Sequence, residues 1–443
     1  MSFKTNLIRA RSHIIFMLAL TTAFGIVITM ENIDFENRVA ARANIKNEIS
    51  IPLSASRSLS SEEMEWAKIA WKYFENNTIA DTGMVNSVDQ YNASTLWDTS
   101  SYMMGLISAH RLKIITEENF KHRMGNLLAS LEALPLFEGK LPNKSYNTIS
   151  LKMVDYTNRE TVQGIGWSAI DIGRVMVPIN ALVWHYPEFT PEVQKVLARW
   201  DLAAMVNKGN LYGALREGKK TQILQEGRLG YEEYAAKSMQ LMGYDVAEAI
   251  DYQSWLKFID IYGINIATDS RRPEEFTAHN YVVSEPYILD GIEYGFDQIS
   301  QQFSNRVYSV QQARYEDTGI LTAVSEDNID VAPYFVYNTV FTGGKAWNTI
   351  TESGDDASDF KSLSTKAAFG WHALYETDYT RKLIDVASKL YDPDKGWYSG
   401  LYEKTGKPNK ALTANTNGII LETLAYKQLG PLLKPKQTEL ASR

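Results

Sequence analysis

Apolar positions recur at helical spacing through most of the chain, in two alternating styles. Residues 60–77, 116–134, 191–206, 298–313 and 379–391 carry an apolar stripe on one side and charge on the other, as surface helices do. Residues 97–110, 160–186, 231–242, 284–294, 365–375 and 416–427 are apolar or short-side-chained nearly all round, as enclosed helices are. With 247–262 as the seventh, the pattern predicts twelve helices in six pairs. Ser60, Thr116 and Ser284 stand where N-caps belong, and Pro191 sits in a first turn.

Even-to-odd connections are tight and odd-to-even connections are long. Loops beyond about 12–15 residues are uncommon unless they carry function. The pattern therefore predicts an all-α (α/α)6 toroid, with every long loop on the face where the six inner helices begin. An open α-solenoid is the alternative, but no repeat of fixed period supports it. Within the loops, 207–230 reads as a small hairpin and 333–341 as a short helix.

The stretch 160–186 is expected to be the central buried helix. Val162, Ile165, Trp167, Ile170, Val175, Ile179 and Leu182 cover nearly all its faces. Asp171, Arg174 and Asn180 break it too often for a membrane span, which wants about 18 or more apolar residues. Gly164, Gly166 and Gly173 each cost roughly 1 kcal/mol of helix propensity, a cost tolerated where neighbours approach closely.

Lys4, Arg9 and Arg11 precede an apolar run at 14–30, the pattern of an export signal. The expected organisation is a signal anchor or signal peptide at 1–31, a polar linker at 32–59, the helical domain at 60–430 and a tail at 431–443. A periplasmic location anchored in the inner membrane by the N-terminal helix follows, with secretion after cleavage as the alternative.

The net charge is −8 with no basic run, which argues against nucleic acid as a partner. No cysteine is present, so disulfides and thiol catalysis are excluded. The six histidines are scattered and form no HExxH, and GxGxxG, GxxxxGK[ST] and GxSxG are absent. No metal and no cofactor are expected.

Acidic and amide side chains gather at the starts of the inner helices. Asp98 opens the second helix, Asp155, Arg159 and Glu160 the fourth, Glu232 and Glu233 the sixth, and Glu285 the eighth. Lys366 opens the tenth, and Asn415 and Asn417 the twelfth. The loops add Glu226, Tyr315, Glu316, Asp317, Trp397, Tyr398 and Glu403. Carboxylates favour helix N-termini by about 0.3–1 kcal/mol each, so each alone could be a cap. Together they suit glycoside hydrolysis, where one acid protonates the leaving oxygen and another activates water or attacks. The candidate catalytic residues are Glu232 or Glu233 with Asp155, Glu160 or Asp317. Trp97, Asp98, Arg159, Tyr315, Glu316, Trp397, Tyr398, Glu403, Asn415 and Asn417 are the candidate substrate contacts. The partner is then an oligo- or polysaccharide. A non-catalytic glycan-binding or assembly factor of polysaccharide export is the alternative.

Five blocks carry a resemblance: TLWDTSSYMMGLISAHRL at 95–112, LPNKSYNT at 141–148, TNRETVQGIGWSAIDIGR at 157–174, GYEEYAAKSMQLMG at 230–243, and GWYSGLYEKTGKPNKALTANTNGIILETLAY at 396–426. Residues 60–430 resemble a domain of unknown function found in bacterial envelope proteins. More distantly, the order of blocks is similar to the glycoamylase-like toroids, which include bacterial β-1,2-glucanases. That resemblance implies an (α/α)6 fold and an endo-glucanase-like activity. It also implies Glu232 or Glu233 as a catalytic-site acid, with Asp155 or Glu160 as its neighbour.

Overall fold

The computed structural model of the 443-residue chain describes residues 48–273 and 279–434. Helix α1 is Ser61–Asn77, capped by Ser60 in a capping box with Glu63. Helix α2 is Leu96–Arg111 and α3 is Glu117–Ala133. Helix α4 is Ala169–His185 and α5 is Thr190–Arg199. Helix α6 is Tyr231–Leu241 and α7 is Ala247–Ile250. Helix α8, Glu285–Leu289, runs on through a π-turn at Asp290–Tyr294. Helices α9, α10, α11 and α12 are Gln298–Thr318, Thr365–Tyr375, Asp378–Ala387 and Ala414–Leu429.

The even-numbered helices touch in the order α2, α4, α6, α8, α10, α12 and back to α2, so the inner ring is closed. Each odd helix lies outside against its partner: α3 on α2, α5 on α4, α7 on α6, α9 on α8, α11 on α10, and α1 on α12. Close approach in the ring requires small residues. A Cβ on Gly173 would lie 2.6 Å from that of Ala235, and one on Gly418 2.5 Å from the carbonyl oxygen of Ser101.

The ring encloses charge as well as apolar groups. Arg174 of α4 is fully buried and bonds Glu293 of the π-turn, Glu422 of α12 at 2.8 Å and Tyr234 of α6. Burial, followed by Glu293, pushes the Glu422 carboxyl well above the ordinary range, opposed by Arg174.

Strands depart from the all-α expectation. Short antiparallel ladders join Ala93–Thr95 to Ser145–Asn147, Asn210–Glu217 to Lys220–Gln225, and Leu256–Ile261 to Ile264–Asp269. Others join Glu326–Asn328 to Phe335–Asn338, and Gly396–Tyr402 to both Ser362–Ser364 and Pro408–Leu412. All of them fall in odd-to-even connections. The hairpin expected within 207–230 is present, whereas the short helix expected at 333–341 is a strand.

Two other helix expectations fail for stated reasons. The seventh helix ends at Ile250, because 256–269 alternates in period two around a Tyr262-Gly263 turn with φ of 56° and 75°. Helix α4 begins at Ala169 and not at 160. Gly164 and Gly166 adopt φ of 71° and 126°, and a Cβ on Gly166 would sit 1.9 Å from the carbonyl oxygen of Ala214. Those glycines serve a loop pressed on the 210–225 hairpin.

Part of the expected linker is also structured. Ile49 O accepts from Asn305 Nδ2 at 2.8 Å, Ser54 N donates to Leu374 O at 2.7 Å, and Arg57 N donates to Lys427 O at 2.8 Å. Residues 49–59 thus lie along α9 and the C-terminal ends of α10 and α12, within the compact unit Ile49–Arg443. The apolar run at 14–30 lies outside the described residues. Among the described residues no helix is long and apolar enough to cross a membrane.

Candidate active site

Two adjacent inner helices start in the same way. Thr95 caps α2: its Oγ1 accepts from Asp98 N at 3.1 Å and donates to the Asp98 carboxylate at 2.7 Å. Ser168 caps α4 and accepts from Asp171 N at 3.1 Å. Each cap holds an aspartate at the third helical position, at the mouth of the ring. Both aspartates are half-buried.

Glu226, delivered by the 210–225 hairpin, joins Asp171. Ser168 Oγ lies 2.8 Å from Glu226 Oε1 and 3.1 Å from Asp171 Oδ1, and Ala169 N donates to Glu226 Oε2 at 2.6 Å. A Cβ on Gly213 would lie 2.2 Å from Glu226 Oε2, so the hairpin glycine leaves room for this carboxylate. Burial, and then the neighbouring charge of Glu226, push Asp171 up to about 7. Burial also raises Asp98, opposed by the hydroxyls of Ser87 and Thr95 and by Lys366.

Glu285, at the first position of α8, is where four inner helices meet. Its Oε1 accepts from Trp97 Nε1 of α2 at 2.9 Å. Asn415 Nδ2 of α12 lies 3.1 Å from both its oxygens, and Lys366 Nζ of α10 is 2.5 Å from Oε2. Lys366 also lies 3.4 Å from Asp327 Oδ1. Burial opposes the Lys366 charge, but Glu285, Asp327 and Glu326 together raise it. Asp327 and Glu326 are each pushed up to about 7, chiefly by burial.

Aromatic rings flank these acids. The rings of Tyr281 and Tyr337 stack at 3.6 Å and 3°. Tyr156, 54% exposed, has its hydroxyl within electrostatic reach of Asp171, Glu352 and Glu226, and Tyr337 is within reach of Glu326 and Tyr156. Trp97 meets Tyr231 edge-on at 5.4 Å.

Of the sequence-predicted residues, the structure brings Trp97, Asp98 and Asn415 together at this mouth. Glu232 is buried, 2.6 Å from Arg271 Nη2 and 2.7 Å from Gln225 Nε2. Glu233 accepts from Gly230 N at 2.6 Å as part of its own helix cap, and burial and then Glu232 raise its carboxyl well above the ordinary range. Asp155 does not start a helix. It closes a turn by accepting from Thr157 N at 2.9 Å and Arg159 N at 3.0 Å, and the Thr157 hydroxyl leads in lowering it to about 2. Arg159 and Glu160 are exposed there, the latter 2.8 Å from Lys152 Nζ.

Glu316 and Asp317 are exposed at the C-terminal end of the outer helix α9, and Tyr315 packs on Tyr379 at 5.3 Å. Glu403 pairs with Arg314 at 2.6 and 2.9 Å. Trp397 is fully buried and donates to Trp66 O at 3.0 Å, so its ring is core and not a sugar face. Asn417 holds Trp397 N at 2.8 Å, and Tyr398 is half-buried on the same strand. Asp171 lies outside the sequence candidates, because the pattern places the start of the fourth helix at 160 and the helix begins at Ala169. The recurrence of T-x-x-D at 95–98 as S-x-x-D at 168–171 is the signal that finds it.

At the opposite end of the ring, Glu63, His372 and Glu376 come together. Arg57 and Lys427 already pair with these carboxylates at 2.6–2.8 Å.

A closed ring of paired helices, with acids and aromatic rings at the mouth where its inner helices begin, has the fold of known glycoside hydrolases. The structure aligns with a candidate glucoamylase from Bacteroides fragilis at TM-score 0.61 and 12% identity, over 86% of this chain and 94% of that one. It aligns with an endo-β-1,2-glucanase from Chitinophaga pinensis, seen with sophorotriose and glucose, at TM-score 0.58 and 12% identity, over 85% and 94%. For an endo-β-1,2-glucanase from Talaromyces funiculosus in complex with sophorose the values are 0.55 and 12%, over 84% and 85%. No curated protein matches the sequence. By sequence, residues 65–430 match the family of proteins of unknown function DUF3131, and the chain belongs to that family.

Proposed function

We propose that this chain is a glycoside hydrolase acting on an envelope or extracellular glucan, with Asp171 and Asp98 as its working carboxylates. Asp171 is half-buried and pushed up to about 7, so near neutral pH it holds a proton to give to a leaving oxygen. Asp98, on the adjacent helix with two hydroxyls and Lys366 favouring its charged form, activates water or attacks the anomeric carbon. Trp97 and the Tyr156, Tyr281 and Tyr337 rings offer apolar faces for pyranose stacking. The observation that carries this reading is the matched pair of capped aspartates at one mouth.

The β-1,2-linked glucans are the first substrates to try, because the Chitinophaga and Talaromyces proteins of the same fold are β-1,2-glucanases. The positively charged, apolar N-terminus supports an exported protein anchored at the inner membrane. The test is incubation of the protein with linear β-1,2-, β-1,3- and β-1,4-glucans, reading new reducing ends, with Asp171→Asn and Asp98→Asn as controls. Release of reducing ends by wild type and its loss in both variants is the expected result. Binding of a glucan without cleavage would instead identify a glycan-binding protein.

A further inference from the structure

We propose that Glu285 is a positioning residue that locks Trp97 as the sugar-stacking floor of the mouth, with Lys366 and Asn415 fixing the carboxylate in place. This rests on the glycosidase reading and adds a role for a carboxylate outside the acid–base pair.

The geometry separates Glu285 from the working acids. It is buried, and both its oxygens are engaged by Trp97, Asn415 and Lys366 at 2.5–3.1 Å. A carboxylate so occupied has no free oxygen to accept or give a proton during a reaction. What it does instead is fix the indole. Trp97 Nε1 is tied to Glu285, one edge is met by Tyr231, and the fully buried Arg174 guanidinium lies over one face at 5.6 Å from the ring centroid. Trp97 is half-buried, and with Arg174 over one face we assign the opposite face and rim as its open side. That is the surface a pyranose ring would stack on, beside Asp98 on the next residue of the same helix. The ammonium of Lys366 offsets the cost of burying the Glu285 charge, and Asn415, oriented by Glu285 on one side and by Ser101 Oγ at 2.9 Å on the other, presents its amide beside the indole.

The experiment compares wild type with Glu285→Ala, Glu285→Gln and Trp97→Phe on β-1,2-glucan oligosaccharides, reading KM, kcat and sophorotriose binding by titration calorimetry. Glu285→Ala is expected to raise KM and the sophorotriose Kd at least tenfold, with kcat within about threefold of wild type. Glu285→Gln retains an acceptor for the indole N–H and should recover most of that loss. Trp97→Phe keeps a ring but loses the tether, and should behave like Glu285→Ala even if the alanine variant fails to fold. A fall in kcat of a hundredfold or more with KM unchanged would make Glu285 a catalytic residue and overturn the proposal. Unchanged KM and Kd in Trp97→Phe would overturn it as well. If wild type binds sophorotriose but cleaves nothing, the glycosidase reading fails while the Kd comparison still decides the role of Glu285. If wild type neither binds nor cleaves, both fail.

Discussion

The guanidinium of Arg174 lies 5.6 Å from the ring centroid of Trp97, so the ionic centre of the ring and the floor of its mouth are in direct contact. Arg174 is bound in turn to Glu293 and Glu422, on two other inner helices. Packing at the centre of the ring therefore sets the depth and tilt of the surface that a ligand would meet.

Removing that cation leaves the buried Glu293 and Glu422 side chains without their shared ionic partner. Arg174→Ala is expected to cost about 3–5 kcal/mol, the range for breaking a buried ion pair by deleting one partner. Urea or thermal unfolding checks it. A variant as stable as wild type would mean that the ion pairs of Arg174 contribute nothing to stability.

Acid–base chemistry by Asp171 and Asp98 carries a pH signature. Asp171 must be protonated to donate, so kcat/KM should fall as pH rises through about 7. Asp98 must be ionised, so activity should also fall toward acid, giving a bell. Asp171→Asn should lower kcat by about 10²–10⁴-fold, the usual range for a general acid. A profile flat from pH 6 to 9 in wild type would remove Asp171 from this role.

Glu232 and Glu233 are separated from that role by their partners. Glu232→Gln breaks the 2.6 Å pair with Arg271, and Glu233→Gln weakens the cap on Gly230. Both should lower Tm while leaving kcat within a few-fold. Loss of activity at an unchanged Tm in either variant would move the proton donor to α6.

The segment from 49 to 57 makes stability sensitive to acid. Arg57 and Lys427 hold Glu63 well below the ordinary carboxylate range, against the opposing effect of burial. A carboxylate lowered on folding stabilises above its unfolded value of about 4.3 and loses that contribution as pH falls. Tm should therefore drop progressively from about pH 5 downward, and Arg57→Ala should flatten that drop. Parallel Tm curves for the two proteins would show that the Arg57 pair contributes nothing.

Gly166→Ala tests the correction to the fourth helix. The residue combines φ of 126° with a neighbour's carbonyl 1.9 Å from where the Cβ would be. Strain of this kind costs about 1–3 kcal/mol, and the clash adds to it. An alanine variant as stable as wild type would indicate that the loop relaxes away from the hairpin.

Much of the ring was legible because enclosed and surface helices differ in pattern, and the caps Ser60 and Thr116 stand where expected. The ladders were less so. Leu256, Phe258, Ile259 and Ile261 include both i,i+2 and i,i+3 spacings, and it is the alternation continuing past the Tyr262-Gly263 turn that decides for strands. At the site, Trp97, Asp98 and Asn415 were readable from their place at helix starts. Asp171 was not, since the glycines before it read as helix when they form a loop. Trp397 misled because an aromatic beside Tyr398 looks alike in the sequence whether it faces a cleft or the core.

The ladders all sit in the connections that end at inner-helix starts, and the opposite ends of the helices are joined by short turns. A designer could therefore transplant the 210–225 hairpin, together with the 163–168 loop pressed on it, from one relative to another while keeping the inner helices. Substrate preference would then be exchangeable by loop grafting, with the ring serving as a fixed chassis.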